Sequence, residues 1–389
     1  MERLRISVCI LASLMLVAAE LTAQETQPAA PSATLVTLNL NETSADAAFT
    51  ELSRQSNYPL APMDERSWQA TILPTITLSA EKVPFWSALR SICDKTGVAP
   101  YVGYGERRIT LMPIRPGQQP NYMKCDAVFS GPFMLVAIAM QRMTYIDLAN
   151  PKNSTRNATV MLMGFVEPKI KIVRANYVAQ VDEAVDEKGT SLVPPQPARG
   201  RVGAFGPAGT AASSGLTWNV SVPIVTPPGS GEKIAALRGK ASVTIQTDSQ
   251  VLEIPDILKA KDVTRPVAGY NITIKQVTKT NQRIYVMDVT ISRDEGLDQQ
   301  QVLQLMTAPS ARLVDEQEGV DYPGAGGGSW GGPIRGAGET KQIDIKLQFY
   351  SRARTPAGAA GEPTKLVWEF TTATRDVEIP FEFKDLPLP

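Results

Sequence analysis

The sequence predicts a small α+β module followed by two all-β domains. Three observations lead to this fold class. Residues 34–114 repeat a pattern at a shift of 40 residues, the segments after Cys125 read as strands between turn-rich loops, and residues 243–259 resemble residues 368–384 at a shift of 125. Internal repeats and the spacing of apolar residues are the main sequence signals of such units.

The first 23 residues are predicted to be a secretory signal peptide. Arg3 and Arg5 precede an apolar run from Ile6 to Val17, which small residues follow. The run is shorter than the ~20 residues of a membrane span. We therefore expect an exported protein, periplasmic or extracellular in a bacterial-type cell, with a linker at 24–33 and no membrane span after processing. The alternative is an N-terminal anchor that is retained.

The composition excludes several functional classes. The chain has 39 basic and 39 acidic side chains and no histidine. A formal net charge of zero argues against a nucleic-acid partner. The absence of histidine excludes Ser-His-Asp and Cys-His catalysis and zinc sites that contain histidine. We expect a non-enzymatic protein with no catalytic residues, no cofactor and no metal.

The first half of the repeat predicts a strand, a helix and a second strand. Val36 to Leu38 alternate as in a strand, and Thr43 or Ser44 is placed to cap the helix that follows. The predicted buried face of that helix consists of Ala45, Ala48, Phe49 and Leu52. Their i, i+3, i+4, i+7 spacing is typical of an amphipathic helix.

The second half of the repeat predicts the same order of elements. Ile76 to Leu78 correspond to the first strand, and the predicted helix begins near Pro84 and ends at Gly97. Proline suits a first helical turn, and glycine suits the position after the last one. The predicted buried stripe is Phe85, Leu89 and Ile92. The unit is therefore a duplicated βαβ module.

These residues carry a resemblance to a known family. The segments LVTLNLNETSADAAFTELSRQSNYPL and ITLSAEKVPFWSALRSICDKTGVAPYVGYGERRITLMP resemble the short N-terminal (STN) domain of secretins and TonB-dependent receptors. That family pairs a "v-l-l" strand with an "a-l-x-x-l" helix, twice. The resemblance covers residues 34–114 and implies a periplasmic module that binds other proteins.

Residues 122–258 and 263–389 are each predicted to form an antiparallel, immunoglobulin-like β-sandwich. The resemblance between 243–259 and 368–384 indicates equivalent late strands of tandem domains, with a boundary near 259–266. The predicted strands of the first sandwich are Val128-Phe129, Met134–Met140, Val160–Met163, Ile170–Val181, Leu216–Val222 and Lys240–Thr247. Clusters of proline, glycine and asparagine separate them.

The last strand is the clearest in the chain. Its apolar residues alternate with charged ones, which predicts one buried and one wet face. The apolar set is Val377, Ile379, Phe381 and Phe383. Pro380 cannot donate to a ladder, so we expect an edge strand or a bulge here. An edge at 376–384 is a surface to which a partner strand can add.

Two cysteines, Cys93 and Cys125, remain after removal of the predicted signal peptide, which contains Cys9. In an oxidising compartment they can form a disulfide, which would stabilise the fold by about 3 kcal/mol through its effect on the unfolded chain. The alternative is two thiols packed as small core residues.

A tryptophan, a glycine-rich stretch and an acidic cluster resemble binding sites. Trp330 lies in the glycine-rich stretch 323–338, where it can bind a partner or fold back onto the sandwich. The stretch 199–215 lacks the order of a phosphate-binding loop. The acidic cluster Asp182, Glu183, Asp186 and Glu187 lacks the spacing of a calcium loop and predicts a solvated hairpin tip.

We expect the protein to mediate binding or assembly in the cell envelope. The expected partner is an envelope protein or a surface polysaccharide. The alternative is a protein that binds or cleaves carbohydrate, in which Trp218, Trp330 or Trp368 would stack on sugars and a pair of carboxylates, such as Asp294 with Glu295, would line a cleft.

Overall fold

The computed structural model describes most of the chain after residue 30. The described residues are 31–102, 109–114, 122–150, 155–194, 210–211, 215–281, 284–297, 305, 310–315, 320–325, 340–350 and 361–388. Of these residues 64% are in strands and 13% in helices, so the protein is mostly β, in agreement with the predicted class. The predicted signal peptide, residues 1–23, and most of the linker at 24–33 lie outside the described residues.

The α-helices of the described chain are α1 (Ala45–Ser56), α2 (Glu65–Gln69) and α3 (Phe85–Thr96). Helices α1 and α3 form where the repeat predicts them. The Ser44 side chain accepts a hydrogen bond from the backbone N–H of Ala47, which satisfies a free donor in the first turn of α1. Helix α3 ends at Gly97, whose φ of 69° is in the left-handed region that glycine adopts without strain. The predicted apolar stripes of both helices are buried.

The first five strands form two small sheets. The strands are β1 (Leu35–Thr43), β2 (Leu60–Pro62), β3 (Ile76–Pro84), β4 (Val98–Tyr101) and β5 (Ile109–Pro113). Strands β1 and β3 pair antiparallel, and β5 lies between β2, which runs parallel to it, and β4. The two strands that flank each helix therefore belong to different sheets, and each sheet takes strands from both halves of the repeat.

All later pairings along the two larger sheets are antiparallel. One sheet has four strands in the order β12-β8-β7-β6, and the other has eleven in the order β11-β9-β13-β20-β17-β18-β19-β16-β15-β14, with β10 paired to β13. The bounds are β6 (Ala127–Ser130), β7 (Phe133–Tyr145), β8 (Thr155–Val166), β9 (Ile172–Asn176), β10 (Gln180–Asp186), β11 (Thr210–Ala211), β12 (Thr217–Val225), β13 (Lys233–Pro255), β14 (Val263–Val267), β15 (Tyr270–Asn281), β16 (Ile284–Leu297), β17 (Ala311–Asp315), β18 (Val320–Ala325), β19 (Thr340–Tyr350) and β20 (Lys365–Pro387).

Strands β13 and β20 pair with each other along their whole length. The register runs from Lys233 opposite Pro387 to Pro255 opposite Lys365. The segments 243–259 and 368–384, expected to be equivalent strands of separate sandwiches, thus overlap two direct neighbours in one sheet. The alternating pattern they share suits both arrangements, because it specifies a half-buried strand and not its partner.

The two hydrophobic cores do not divide the chain at one point. The first core contains buried residues up to Ile245 and then Val377 to Leu388, whereas the second contains those from Leu252 to Phe370. The C-terminal strand therefore returns to the first core, which differs from the expected division into 122–258 and 263–389. Between the cores, the β13–β20 ribbon has exposed residues on both faces at Thr372 to Thr374.

The N-terminal module shares the first core. The Trp86 ring on α3 lies 5.4 Å from the Phe165 ring on β8, measured between centroids, and both residues are buried. Four consecutive residues at the start of β7, Phe133 to Val136, are buried as well. Since alternate residues of a strand point to opposite faces, this part of β7 is covered on both sides, and the module covers the face that carries Phe165.

The predicted alternation of the last strand is confirmed. Its apolar residues, Val377, Ile379, Phe381 and Phe383, are buried in the first core, and the residues between them are exposed.

Candidate interaction surfaces

The acidic cluster at 182–187 serves the fold. Asp186, at the end of β10, is 2% exposed. Its Oδ1 accepts hydrogen bonds from the backbone N–H groups of Lys188 (2.9 Å) and Thr190 (2.7 Å), and its Oδ2 accepts one from Gly231 (2.7 Å). These bonds, that from Gly231 first, lower the pKa of Asp186. The carboxylate thus closes the predicted hairpin tip and ties it to the loop before β13.

The neighbouring carboxylates also bind protein donors. Glu187 accepts hydrogen bonds from the backbone N–H groups of Glu232 (2.6 Å) and Lys233 (2.8 Å), which lower its pKa. Glu183 forms an ion pair of 2.6 Å with Arg238. Within the described ranges, no group of three or more side chains is arranged to hold a metal ion.

The two cysteines lie on adjacent segments and are free thiols in the structure. Arg90, one helical turn before Cys93 on α3, donates a hydrogen bond of 2.6 Å to the carbonyl oxygen of Cys125. Cys93 is fully buried, and burial raises the pKa of its thiol. Cys125 is half-buried at the rim of the same core. A disulfide between them stays a prediction.

Two of the three tryptophans that were expected to stack on a sugar in the carbohydrate alternative are buried. Trp218 is 6% exposed and Trp368 is 2% exposed, so neither ring has a face free for a sugar. Trp330 lies outside the described residues, as do most of 199–215 and 323–338. Asp294 and Glu295 are exposed on β16, and Glu295 forms an ion pair with Arg293.

A groove of about 450 Å³ lies beside helix α3. Its lining residues are Ser87, Arg90, Ser91, Asp94, Met123, Lys124 and Phe129. Asp94 is the single carboxylate among them, so this groove does not supply the pair of acids that glycoside hydrolysis uses.

A fully buried carboxylate joins the N-terminal module to the strands. Glu167, which follows β8, accepts hydrogen bonds from the backbone N–H of Thr34 at 2.9 Å and 3.1 Å, one to each oxygen. Its Oε2 also accepts bonds from the hydroxyls of Thr34 (2.6 Å) and Tyr58 (2.9 Å), and Lys169 lies 3.3 Å away. Burial raises the pKa of Tyr58, so its hydroxyl stays protonated as a donor. These bonds join Thr34 and Tyr58 of the N-terminal module to the residue that follows β8, so Glu167 forms a junction between the two.

A second polar cluster holds the region between the two cores. The ammonium of Lys171 lies 2.9 Å from Oε2 of Glu369, and the side-chain amide of Gln246 donates a 2.5 Å bond to Oε1. Burial alone would raise the pKa of Glu369, but the bonds from Lys171 and Gln246 lower it to about 2. The charged carboxylate of Glu369 on β20 therefore binds Lys171 and the β13 residue Gln246 in the region between the two hydrophobic cores.

Among the described residues, one side of β20 has no strand partner over most of its length. One side pairs with β13 throughout, whereas the other pairs with β17 only from Lys365 to Trp368. Glu369 also bonds Ser310 on this side, and beyond Glu369 no strand within the described ranges pairs with it, although β6 passes beside part of β20. The predicted edge segment 376–384 belongs to this unpaired part, although β20 as a whole lies between β13 and β17 in the sheet.

A second surface lies where strands β7 and β8 approach their connection. We call residues 142–150 together with 155–156 the hairpin end. Asp147 shapes its turn, because Oδ1 accepts hydrogen bonds of 3.0 Å from the backbone N–H groups of both Ala149 and Asn150. Four large apolar side chains are exposed here: Met143 (43%), Tyr145 (60%), Ile146 (61%) and Leu148 (90%). Contiguous exposed apolar groups mark contact surfaces.

The hairpin end has two unlike faces. Met143 lies opposite Asn157 in the register and Thr144 lies opposite Arg156. Because side chains alternate, Arg142 and Arg156 share one face while Met143 and Tyr145 share the other. Neither arginine forms an ion pair with a described residue.

The sequence analysis missed this surface. The predicted strand ended at Met140, since Gln141 and Arg142 interrupt the apolar run, whereas β7 continues to Tyr145. The sequence does contain a signal for this surface. Large apolar residues occur between Met143 and Leu148, close to a turn, where polar residues are usual.

Comparisons of the chain with protein-family models, with curated proteins and with solved structures find no match. Among the helices of the described residues, none has the length and hydropathy to cross a membrane.

Proposed function

We propose that this chain is an exported, non-enzymatic protein of the cell envelope that binds another envelope protein and takes part in its assembly. In this proposal residues 34–114 are an STN-like module, and the strands that follow form two immunoglobulin-like β-domains. The export proposal rests on the N-terminal apolar run with its two arginines.

The main observation that supports the proposal is the unpaired side of β20. A strand edge presents backbone N–H and C=O groups that a strand from another chain can pair with. Among the described residues this edge extends from residue 370 to residue 387, because Glu369 still bonds Ser310, and it is longer than most strands. Pro380 interrupts the row of donors near its middle, so we expect a partner strand to pair on one side of Pro380.

The chemistry of the acidic side chains supports a binding protein over an enzyme. Glu167, Asp186 and Glu369 each accept two or more hydrogen bonds, and their partners come from elements that they hold together. A catalytic carboxylate instead needs a free face toward a substrate.

Affinity capture from the native envelope tests the proposal. The bait is the full chain, compared with an Ala373→Lys/Thr374→Lys variant, because lysines on exposed positions of an edge strand oppose strand addition. The control is Thr278→Lys, on an exposed position of β15 that belongs to the second core.

We expect the wild type and the control to retain one envelope protein that the double variant loses. Equal retention by all three, with unchanged melting transitions, would contradict binding at the part of this edge before Pro380. Turnover of a glycan or peptide that one Asp or Glu substitution eliminates would contradict the non-enzymatic proposal.

A further inference from the structure

We infer that the hairpin end docks on a bilayer surface that carries anionic headgroups. This goes beyond the proposed function, because the hairpin end and the unpaired side of β20 are different surfaces. The inference depends on three observations: where the apolar side chains lie, how the turn is held, and which charges are unpaired.

Exposure increases toward the end of the hairpin. Strand β12 accompanies β8 only up to the pair Val225 and Asn157, and the β7–β8 ribbon continues beyond it as two strands. Along this part the exposed fraction increases from 43% at Met143 to 60% at Tyr145 and 90% at Leu148. Along the described residues, the exposed apolar surface therefore increases toward the turn.

Hydrogen bonds to Asp147 hold residues 147–150 of the turn. The Asp147 carboxylate accepts two backbone hydrogen bonds, from Ala149 and Asn150, and these fix the segment that presents Ile146 and Leu148. Little conformational entropy is then lost when these side chains enter an apolar phase.

The charges complement an anionic surface. Arg142 and Arg156 lie on adjacent strands, behind the apolar end, and are free of ion pairs with described residues. A guanidinium group binds phosphate oxygens with two parallel hydrogen bonds. Tyrosine prefers the depth of the headgroups, and aliphatic side chains prefer the layer below them. The order of Arg142, Tyr145 and Leu148 along the hairpin follows that depth profile.

The alternative occupant is an apolar cleft of a protein. A cleft would cover one face of the ribbon, whereas the exposed apolar groups here include both a strand face and the turn itself. The geometry thus favours a surface that the hairpin enters end-on.

Vesicle cosedimentation of the full chain tests the inference. One set of vesicles contains equal parts of phosphatidylglycerol and phosphatidylcholine, and the other contains phosphatidylcholine alone. We expect binding to the first set that weakens as salt is added, and much weaker binding to the second.

Two variants and a matched control identify the contact. We expect Ile146→Ser/Leu148→Ser to reduce the vesicle affinity more than tenfold, and Arg142→Gln/Arg156→Gln to reduce it about fivefold per arginine. The control is Ile72→Ser, which removes a 100% exposed apolar side chain elsewhere and should leave the affinity unchanged. Melting curves confirm that each variant folds.

Failure of the wild type to bind the anionic vesicles would overturn the inference, as would an equal loss in the Ile72→Ser control. The wild type could fail to bind vesicles but retain an envelope protein in affinity capture that the hairpin variants do not retain. The surface would then bind a protein. The Ala373→Lys/Thr374→Lys variant separates the two proposals, because it should still bind vesicles.

Discussion

The backbone N–H of Thr34 donates a 2.9 Å hydrogen bond to the carboxylate of Glu167, 133 residues further along the chain. Because Glu167 is fully buried, this bond fixes the start of β1 against the end of β8. The Trp86 ring of the N-terminal module also packs against the Phe165 ring of β8. The N-terminal module and the first core should therefore unfold together.

Replacing Glu167 tests this junction. Glu167→Gln puts an amide N–H₂ among the donors of Thr34 and Tyr58 and removes the charge that faces Lys169. We expect the free energy of unfolding to decrease by about 3 kcal/mol in chemical denaturation.

The matched control for this junction is Glu378→Gln, which removes an exposed ion pair with Lys240. Its effect should stay within about 0.5 kcal/mol. A similar small effect at Glu167 would show that the module is not held there.

Gly164 is expected to be intolerant of a side chain. The Trp218 ring lies over it, and a Cβ atom at residue 164 would be 2.3 Å from the ring. Gly164→Ala should decrease the free energy of unfolding by about 1–3 kcal/mol. The effect should shrink in a Trp218→Leu background, and a double-mutant cycle measures this coupling. Additive effects of the two substitutions would contradict the predicted contact.

The lowered pKa of Glu369 predicts that part of the protein's folding stability is lost in acid. Folding lowers its pKa from 4.5 to about 2, so its contribution to stability is present above pH 4.5 and is lost as the pH falls toward 2. Denaturation of wild type and Glu369→Gln, near neutral pH and at about pH 3, measures it. The variant should lose less stability than the wild type on acidification.

The control for this prediction is Glu253→Gln, on an exposed position of β13. It should follow the wild-type pH dependence. An identical pH dependence in Glu369→Gln would mean that the Lys171–Glu369 pair does not stabilise the ribbon.

The cysteines should differ in reactivity. In the thiol form, half-buried Cys125 should react with a thiol reagent in the native protein, whereas fully buried Cys93 should react only after unfolding. Thiol titration with and without denaturant measures both. The predicted disulfide would instead leave no thiol to titrate in denaturant until a reductant is added.

The local elements were predictable from the sequence because each depends on neighbouring residues. The stripe from Ala45 to Leu52 and the alternation from Val377 to Phe383 need only the helical and strand periods. Gly97 marks a helix end for a reason contained in one residue, its tolerance of positive φ. These features form as predicted.

The long-range arrangement was not predictable from the same patterns. Alternation in 243–259 and 368–384 specifies two half-buried strands, but it does not specify that they pair with each other across both cores. Glu167 also gives no local signal, since its partners Thr34 and Tyr58 are more than 100 residues away. The edge at 376–384 was predictable because proline in a strand restricts where that strand can lie.

Hydrogen–deuterium exchange of the captured complex tests the central claim, that a partner strand adds to the unpaired side of β20. Backbone amides between residues 370 and 387 are compared in the free protein and in the complex. We predict slower exchange at alternate residues of one continuous stretch on one side of Pro380, because only alternate N–H groups of a strand face its open side. Unchanged exchange throughout 370–387, with protection confined to other strands or loops, would contradict the claim.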